Sequence, residues 1–406
     1  MPPGGRLFLA GGAGEPASLA EGINTYAASL QDVELVSLPL RGVNPCRYVD
    51  AQMRGRLRAR VFTFTPALTR PMADGRVEYV SVRHSEIPRL LADPAYRFDV
   101  AFLQGTLDGD GDLNLGLWAD LAAPVIANSD VVVAELNPQL PATCGETKVH
   151  AVEIDYTMSG QLPPRGSVGS SAGPVAREIA ANVARVVPDG ATFQIGIGAL
   201  ADAVVAALGR RRDLGVHSGM ISDAVVDLVR SGAVTGRRKE LDTGKIVVTQ
   251  CLGSQVLWDF VHQNESVELR PATYVHAEKT MRAFERFYAL NFALEVDLEG
   301  RANSEWMAGS RVGAVGGQMD FMRSAARSPH GGAIVALPST ARRGAVSRIV
   351  PRIDDAYVTL HPTDVGIVVT EYGVADIRGL DVGKRGAKLA AIAHPSFRRH
   401  LLNAAR

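Results

Sequence analysis

Short apolar runs alternate along the whole chain with longer stretches in which Ala, Val, Leu and Ile recur at helical spacing. In the first part, Arg6 to Ala10, Val33 to Leu38, Val61 to Thr65, Val77 to Val80, Val100 to Gln104, Val125 to Ile126 and Val131 to Glu135 read as strands, with a helix over Pro16 to Ala28. In the second part, Phe193 to Ile197, Ile246 to Gln250, Ala289 to Leu298, Ala333 to Leu337 and Gly366 to Thr370 read as strands, and Ala176 to Val187 as a helix. Strands alternating with helices predict an α/β fold, each half a mostly parallel sheet flanked by helices. Between the halves lies Gln161 to Pro174, QLPPRGSVGSSAGP, which is rich in proline, glycine and serine and nearly free of apolar residues. It reads as a linker and divides the chain into domains 1–172 and 173–406.

The densest pattern is FQIGIGALADAVVAALGRRRDLGVHSGMISDAVVDLVRSG, from Phe193 to Gly232. It reads as strand, glycine turn, helix, strand, turn, helix. The second strand is predicted over Leu214 to Val216, stopping at His217-Ser218-Gly219. The following helix is predicted from Ile221 to Arg230, with Ser222 or Asp223 as cap and Gly232 just past its end. Ligands in open α/β sheets bind at the carboxyl ends of strands, so His217, Ser218 and Gly219 are expected to face a pocket.

Composition narrows the partners. The 406 residues carry 43 basic and 43 acidic side chains, so no net field draws the protein toward nucleic acid or an anionic membrane. A small-molecule substrate is the default. Three widely spaced cysteines (Cys46, Cys144, Cys251) match no zinc or redox pattern and no secreted disulfide framework. With no signal-like or membrane-spanning apolar run in the sequence, the expected location is the cytoplasm.

Several segments carry candidate chemistry, each with a plainer reading. Gly11, Gly12 and Gly14 follow the first strand but lack the dinucleotide or P-loop spacing, so a plain turn is preferred to a phosphate site. The aspartates of TLDGDGDLNLG (Thr106 to Gly116) suggest calcium, yet the bidentate glutamate of a calcium loop is missing, and Asp-Gly turn chemistry explains them. GAVGGQMDF (Gly313 to Phe321) offers amides that could meet an oxyanion, through Gly316, Gly317 and Gln318. Glu371 follows an apolar strand, where a carboxylate is well placed for function; a salt bridge to Arg378 or Arg385 is the alternative. Among nine histidines no metal-binding spacing occurs, so no metal is expected, and His217 and His276 are the two expected near a ligand. Ser218 lacks the G-x-S-x-G context of a nucleophile, and His217 beside it would point to the opposite face of a strand.

Taken together, IGIGALADAV, GVHSGMISDAVVDLVRSGAVT, VELRPATYVH, LNFALEVDLEG, GAVGGQMDF, VSRIVP, VVTEYGVADIRG and AHPSFR closely resemble the acetyl-CoA hydrolase/transferase family. That family includes the 4-hydroxybutyrate and succinyl-CoA:acetate CoA-transferases. The resemblance implies the two-domain α/β CoA-transferase fold with an active site between the domains, often in a homodimer. It also implies coenzyme A as a substrate rather than a bound cofactor, and partners limited to an acyl-CoA or related thioester and a small acceptor. By the same resemblance, Gly317 matches the glycine whose amide polarises the thioester, Glu371 matches the TExG glutamate, and Ile195, Gly196 and Gly198 lie in the matching glycine turn.

One position departs. Family members transfer CoA through a glutamate that follows His-Thr or His-Ser, and here Gly219 follows His217-Ser218. His217, Met220, Ser222 and Asp223 keep the register, and His276 stands where several relatives carry asparagine. Glycine can form neither an anhydride nor a thioester through a side chain, so the covalent route is closed at this position. The loss is also expected to leave a space of roughly a few water volumes. The chain is therefore expected to transfer or hydrolyse an acyl group without a glutamyl-CoA intermediate at 219, with Gly317 polarising the carbonyl and His217, His276 or Glu371 as base. The alternative is a CoA- or acyl-CoA-binding protein without catalysis.

Overall fold

The structure, a computed structural model, describes residues 1–166, 172–353 and 358–405; residues 167–171 of the expected linker lie outside this set. The chain packs as two compact units. The first comprises Met1–Val168, Val247–Val275 and Arg311–Gly316, and the second Gly169–Ile246, His276–Ser310 and Gly317–Arg406.

Seven strands make up the main run of the first unit's sheet: β1 (Arg6–Leu9), β2 (Val33–Ser37), β3 (Leu57–Val61), β4 (Val77–Tyr79), β5 (Val100–Leu107), β6 (Val132–Leu136) and β7 (Tyr156–Ser159). They lie in the order β7-β6-β5-β1-β2-β3-β4, and every neighbouring pair is parallel. The inner strands of a parallel sheet are covered on both faces, so β1, β5 and β6 are mostly apolar and largely buried, whereas β3 alternates and β7 at the edge is largely exposed. Along β1, Phe8 enters one core cluster with Val36 and Phe98, while Leu7 and Leu9 enter another with Leu35 and Met53. Two expected strands need correction. Val61 closes β3 instead of opening a strand, and Val125 with Ile126 belongs to the helix Ala122–Ala127. A short apolar run fits a buried helix as well as a strand, and periodicity alone does not separate them.

The glycines after β1 serve close packing. A Cβ on Gly11 would collide with the Leu38 carbonyl, and one on Gly14 would stand 2.6 Å from the Trp118 ring. The amides of Ser18 and Leu19, at the start of helix α1 (Ala17–Thr25), both donate to the buried Glu135 carboxylate at 2.9 Å. That helix end is thus occupied by a carboxylate of the chain itself. In the Asp-rich turn, the Lys148 ammonium lies 3.3, 2.9 and 3.1 Å from Asp108, Asp110 and Asp112. An internal cation holds the position a metal ion would take.

The second unit contains β8 (Thr192–Ile195), β9 (Gly215–Ile221), β10 (Phe287–Phe292), β11 (Gly332–Ala336), β12 (Ile367–Thr370) and β13 (Gly373–Asp376). The order is β13-β12-β11-β10-β8-β9, parallel except for β13, which turns back along the edge. Its helices include α2 (Pro174–Val186), α3 (Ala199–Ala207), α4 (Asp223–Arg230) and α5 (Gln318–Arg327). Here the expected boundary after Val216 is overturned, since β9 runs on through His217, Ser218 and Gly219 to Ile221. Ser222 then takes the cap position of α4 with extended backbone, its hydroxyl donating to Asp202 at 2.8 Å, and Gly232 (φ +77°) ends the helix. A positive φ there suits glycine, which has no Cβ to clash. Among the described residues, no helix is long and apolar enough to cross a membrane.

Candidate active site

The chain builds β8 and then β9 on one side of the second sheet, and β10 to β13 on the other. The strand order therefore reverses between β8 and β10, and ligands in such sheets bind outside the carboxyl ends of the strands at this point. Gln194 and Asn291, on these two strands, share a side-chain hydrogen bond of 2.8 Å. Ile195 ends β8, and Gly196 and Gly198 follow. A Cβ on Gly196 would meet nothing closer than Phe292 at 4.0 Å, and Gly198 has φ +110° with open space where a side chain would stand. The three residues expected to line the CoA site thus share the reversal point.

Side chains alternate along β9. Ser218 points to one face, where its Oγ donates to the Ile195 carbonyl at 3.0 Å and accepts from the Ile195 amide at 3.3 Å. The hydroxyl ties β9 to β8 beyond Val216, the last residue of their backbone register. His217 and Gly219 share the other face. His217 is wholly buried, its ring centroid 5.0 Å from Phe284 and 6.3 Å from Phe287. It is a member of the aromatic core, not of a turn facing a pocket.

Gly219 has the ordinary extended backbone of a strand residue, with no positive φ. A Cβ built there would lie 3.1 Å from Nε2 and 3.3 Å from Cε1 of His276, and 3.5 Å from the Phe321 ring. The expectation of an empty space is therefore corrected: the imidazole of His276 fills it. Gly317 stands against the same ring, and a Cβ there would overlap Cε1 and lie 2.7 Å from Nδ1. Phe321 stacks at a tilt with a centroid distance of 4.6 Å. His276 is 4% exposed, and its Nδ1 is 3.6 Å from the Asp320 carboxylate, which is buried as well. Sequence reading singled out Gly219, His276 and Gly317 separately and missed Asp320.

Gly317 caps α5, a ten-residue helix whose first amides carry partial positive charge. Gln318 opens the helix and donates to the Phe292 carbonyl at 3.3 Å. Gly316, one residue earlier, belongs to the first unit, where its carbonyl accepts from the His84 amide.

Glu371 follows β12, four strand positions from β9. Its carboxylate accepts from the Ser339 hydroxyl at 2.6 Å and the Ser339 amide at 2.9 Å. The expected salt-bridge partners are engaged elsewhere: Arg378 pairs with Asp376, and Arg385 donates to the carbonyls of Leu380, Glu299 and Pro362. Ser339 was also missed, although it closely follows the apolar run Ala333 to Leu337 and so stands at the carboxyl end of β11.

Comparison with known proteins fits this geometry. The acetyl-CoA hydrolase/transferase N-terminal domain matches residues 2–161, and the C-terminal domain of the same family matches residues 253–405. A 4-hydroxybutyrate coenzyme A transferase of Clostridium kluyveri is 36% identical over 98% of this chain and 93% of its own length. The chain belongs to the acetyl-CoA hydrolase/transferase family. Among solved structures of this family's shape, RipA from Yersinia pestis superposes with a TM-score of 0.91 at 30% identity, covering all of this chain and 94% of RipA. The 4-hydroxybutyrate CoA-transferase of Porphyromonas gingivalis gives 0.83 at 30% identity, covering 99% and 93% of the two chains. His276, Gly317 and Glu371 lie within the C-terminal match, and Gly219 lies between the two matched segments.

Proposed function

We propose that this family member consumes an acyl-CoA or closely related thioester by moving its acyl group directly to an acceptor, without a glutamyl-CoA intermediate at position 219. The single observation that carries the reading is the approach of His276 Nε2 to within 3.1 Å of where a side chain on Gly219 would begin. The family's covalent route needs a carboxylate there, and this chain has put an imidazole in its place. The relatives' names support the substrate class: they include CoA-transferases acting on 4-hydroxybutyrate and on succinyl-CoA with cyclohexane-1-carboxylate, and an acetyl-CoA hydrolase.

In this reading, Gly196 and Gly198, just past the end of β8, form the wall against which CoA lies, beside Gly219 and Gln318, while Ser218 holds the Ile195 backbone behind them. The amide of Gly317, at the positive end of α5, donates to the oxyanion that develops when the thioester carbonyl is attacked. Candidate bases are His276 and Glu371, with His217 supporting from the core. The test is turnover of acetyl-CoA and butyryl-CoA, each with and without acetate as acceptor, alongside calorimetric titration with CoA. Thioester consumption in at least one arm is expected. Tight CoA binding with no consumption in any arm would instead make the chain a non-catalytic acyl-CoA binder.

A further inference from the structure

The position of His276 carries more than the loss of a glutamate. The imidazole is bordered by Gly219, Gly317 and Phe321, and both glycines are residues on which a Cβ would crowd the ring. Within that slot the two ring nitrogens face different ways. Nδ1 is turned toward the buried Asp320 carboxylate at 3.6 Å, and Nε2 toward the place where the family's glutamate begins. At 3.6 Å the Asp320 carboxylate stands just beyond hydrogen-bond distance of Nδ1. Catalytic contacts of this length commonly tighten when substrate binds, and a carboxylate then holding the proton on Nδ1 leaves Nε2 as the base.

From this geometry we infer that His276 is the catalytic base that replaced the family's glutamate, that Asp320 is its positioning residue, and that the acyl acceptor is water. This rests on the proposed function in one respect, that the chain consumes acyl-CoA. The choice of acceptor follows from what a base can offer. A carboxylate acceptor at neutral pH has no proton to lose and gains nothing from an imidazole, whereas water must give up a proton as it attacks.

The step balances without a further reagent. Nε2 of neutral His276 takes a proton from water as the water oxygen bonds to the thioester carbonyl carbon. The carbonyl π pair moves to oxygen, where the Gly317 amide donates to it. Collapse of this oxyanion breaks the C–S bond, and the imidazolium returns its proton to the departing CoA thiolate. One acyl-CoA and one water give one carboxylic acid and one CoA thiol. Asp320 stays ionised throughout and stabilises the transient imidazolium.

The test begins with the unaltered protein. In a single turnover of acetyl-CoA in ¹⁸O-water with enzyme in excess, the acetate should carry one ¹⁸O and the protein none. Acetate free of label, with ¹⁸O in a protein carboxylate, overturns the inference in favour of a relocated glutamate or aspartate. His276→Gly should lower hydrolysis by roughly 10²–10⁴-fold, and azoles added to fill the vacated slot should restore it in order of their basicity. Asp320→Asn should lower kcat about tenfold with KM within about twofold, and should have no further effect in the His276→Gly background. Hydrolysis undiminished by His276→Gly, or rescue independent of azole basicity, overturns the assignment while leaving acyl-CoA consumption intact. No consumption of acetyl-CoA or butyryl-CoA by the unaltered protein, with or without acetate, overturns the proposed function together with this inference.

Discussion

Gly219→Ala, alone and combined with His276→Asn, tests whether positions 219 and 276 are physically interlocked. The alanine Cβ would stand 3.1 Å from Nε2 and 3.3 Å from Cε1 of His276. Ordinary contacts begin near ~3.5 Å, so the ring must yield by several tenths of an ångström. It has little room to do so, because Gly317 and Phe321 also abut the ring, the position of a Cβ on Gly317 being 2.7 Å from Nδ1. Overpacking of this kind costs about 1–3 kcal/mol. Asparagine, whose side chain is shorter, has no counterpart of Cε1 or Nε2, the two atoms that crowd position 219. In the His276→Asn background the alanine should therefore cost close to nothing, giving a coupling of about 1–3 kcal/mol between the two sites. Thermal melts of the four proteins measure this, since 1 kcal/mol moves Tm by roughly 2–4 °C in a unit of 150–250 residues. Effects that simply add, to within about 0.5 kcal/mol, would refute the interlock.

Three further outcomes follow from contacts elsewhere. Ser218→Ala removes the hydroxyl that serves both the amide and the carbonyl of Ile195, and should destabilise the protein by about 1–3 kcal/mol in urea unfolding, because both backbone groups are buried. An unchanged midpoint would show that the strand junction does not depend on it. Glu371→Gln should lower thioester consumption more than tenfold while CoA binding persists, if the carboxylate held by Ser339 contributes a base or orients one; equal turnover would return it to a purely structural role. The Asp112 carboxyl is held down to about 2, chiefly by the Ala151 amide and then by Lys148. Its folded-state pKa lies below the usual 3.8, so its contribution to stability is complete above about pH 4 and is lost as pH falls toward 2. Lys148→Met should raise that pKa, read by carboxyl-carbon NMR, and no change would remove Lys148 from the account.

The repeating strand and helix units were legible because parallel strands covered on both faces leave apolar runs, as at Gly332–Ala336 and Ile367–Thr370. The same rule failed at His217, Ser218 and Gly219. These residues look like a turn by composition, yet they continue β9, because Ser218 satisfies the Ile195 backbone and His217 is lodged among phenylalanines. Neither compensation is local, so neither leaves a mark in the neighbouring sequence. The glycine at 219 was legible as a departure from the family pattern, but its consequence was not. That consequence depends on His276, Gly317 and Phe321 converging on one ring from three separate segments. Asp320 was missed for the same reason, since nothing in its surroundings points to a histidine forty-four positions earlier. Ser339 was within reach, as a polar residue just past the end of an apolar strand is a standing candidate for a site.

The central claim is that an imidazole, not a carboxylate, occupies the catalytic position beside residue 219. The most direct measurement is intact mass after incubation with acetyl-CoA and borohydride trapping, on the unaltered protein and on the Gly219→Glu/His276→Asn double variant, each first shown to be folded by thermal melt. The unaltered protein should stay unmodified, while the double variant should acquire a trapped thioester product that maps to position 219. A CoA adduct on the unaltered protein, or a folded, CoA-binding double variant that never forms one, would contradict the claim.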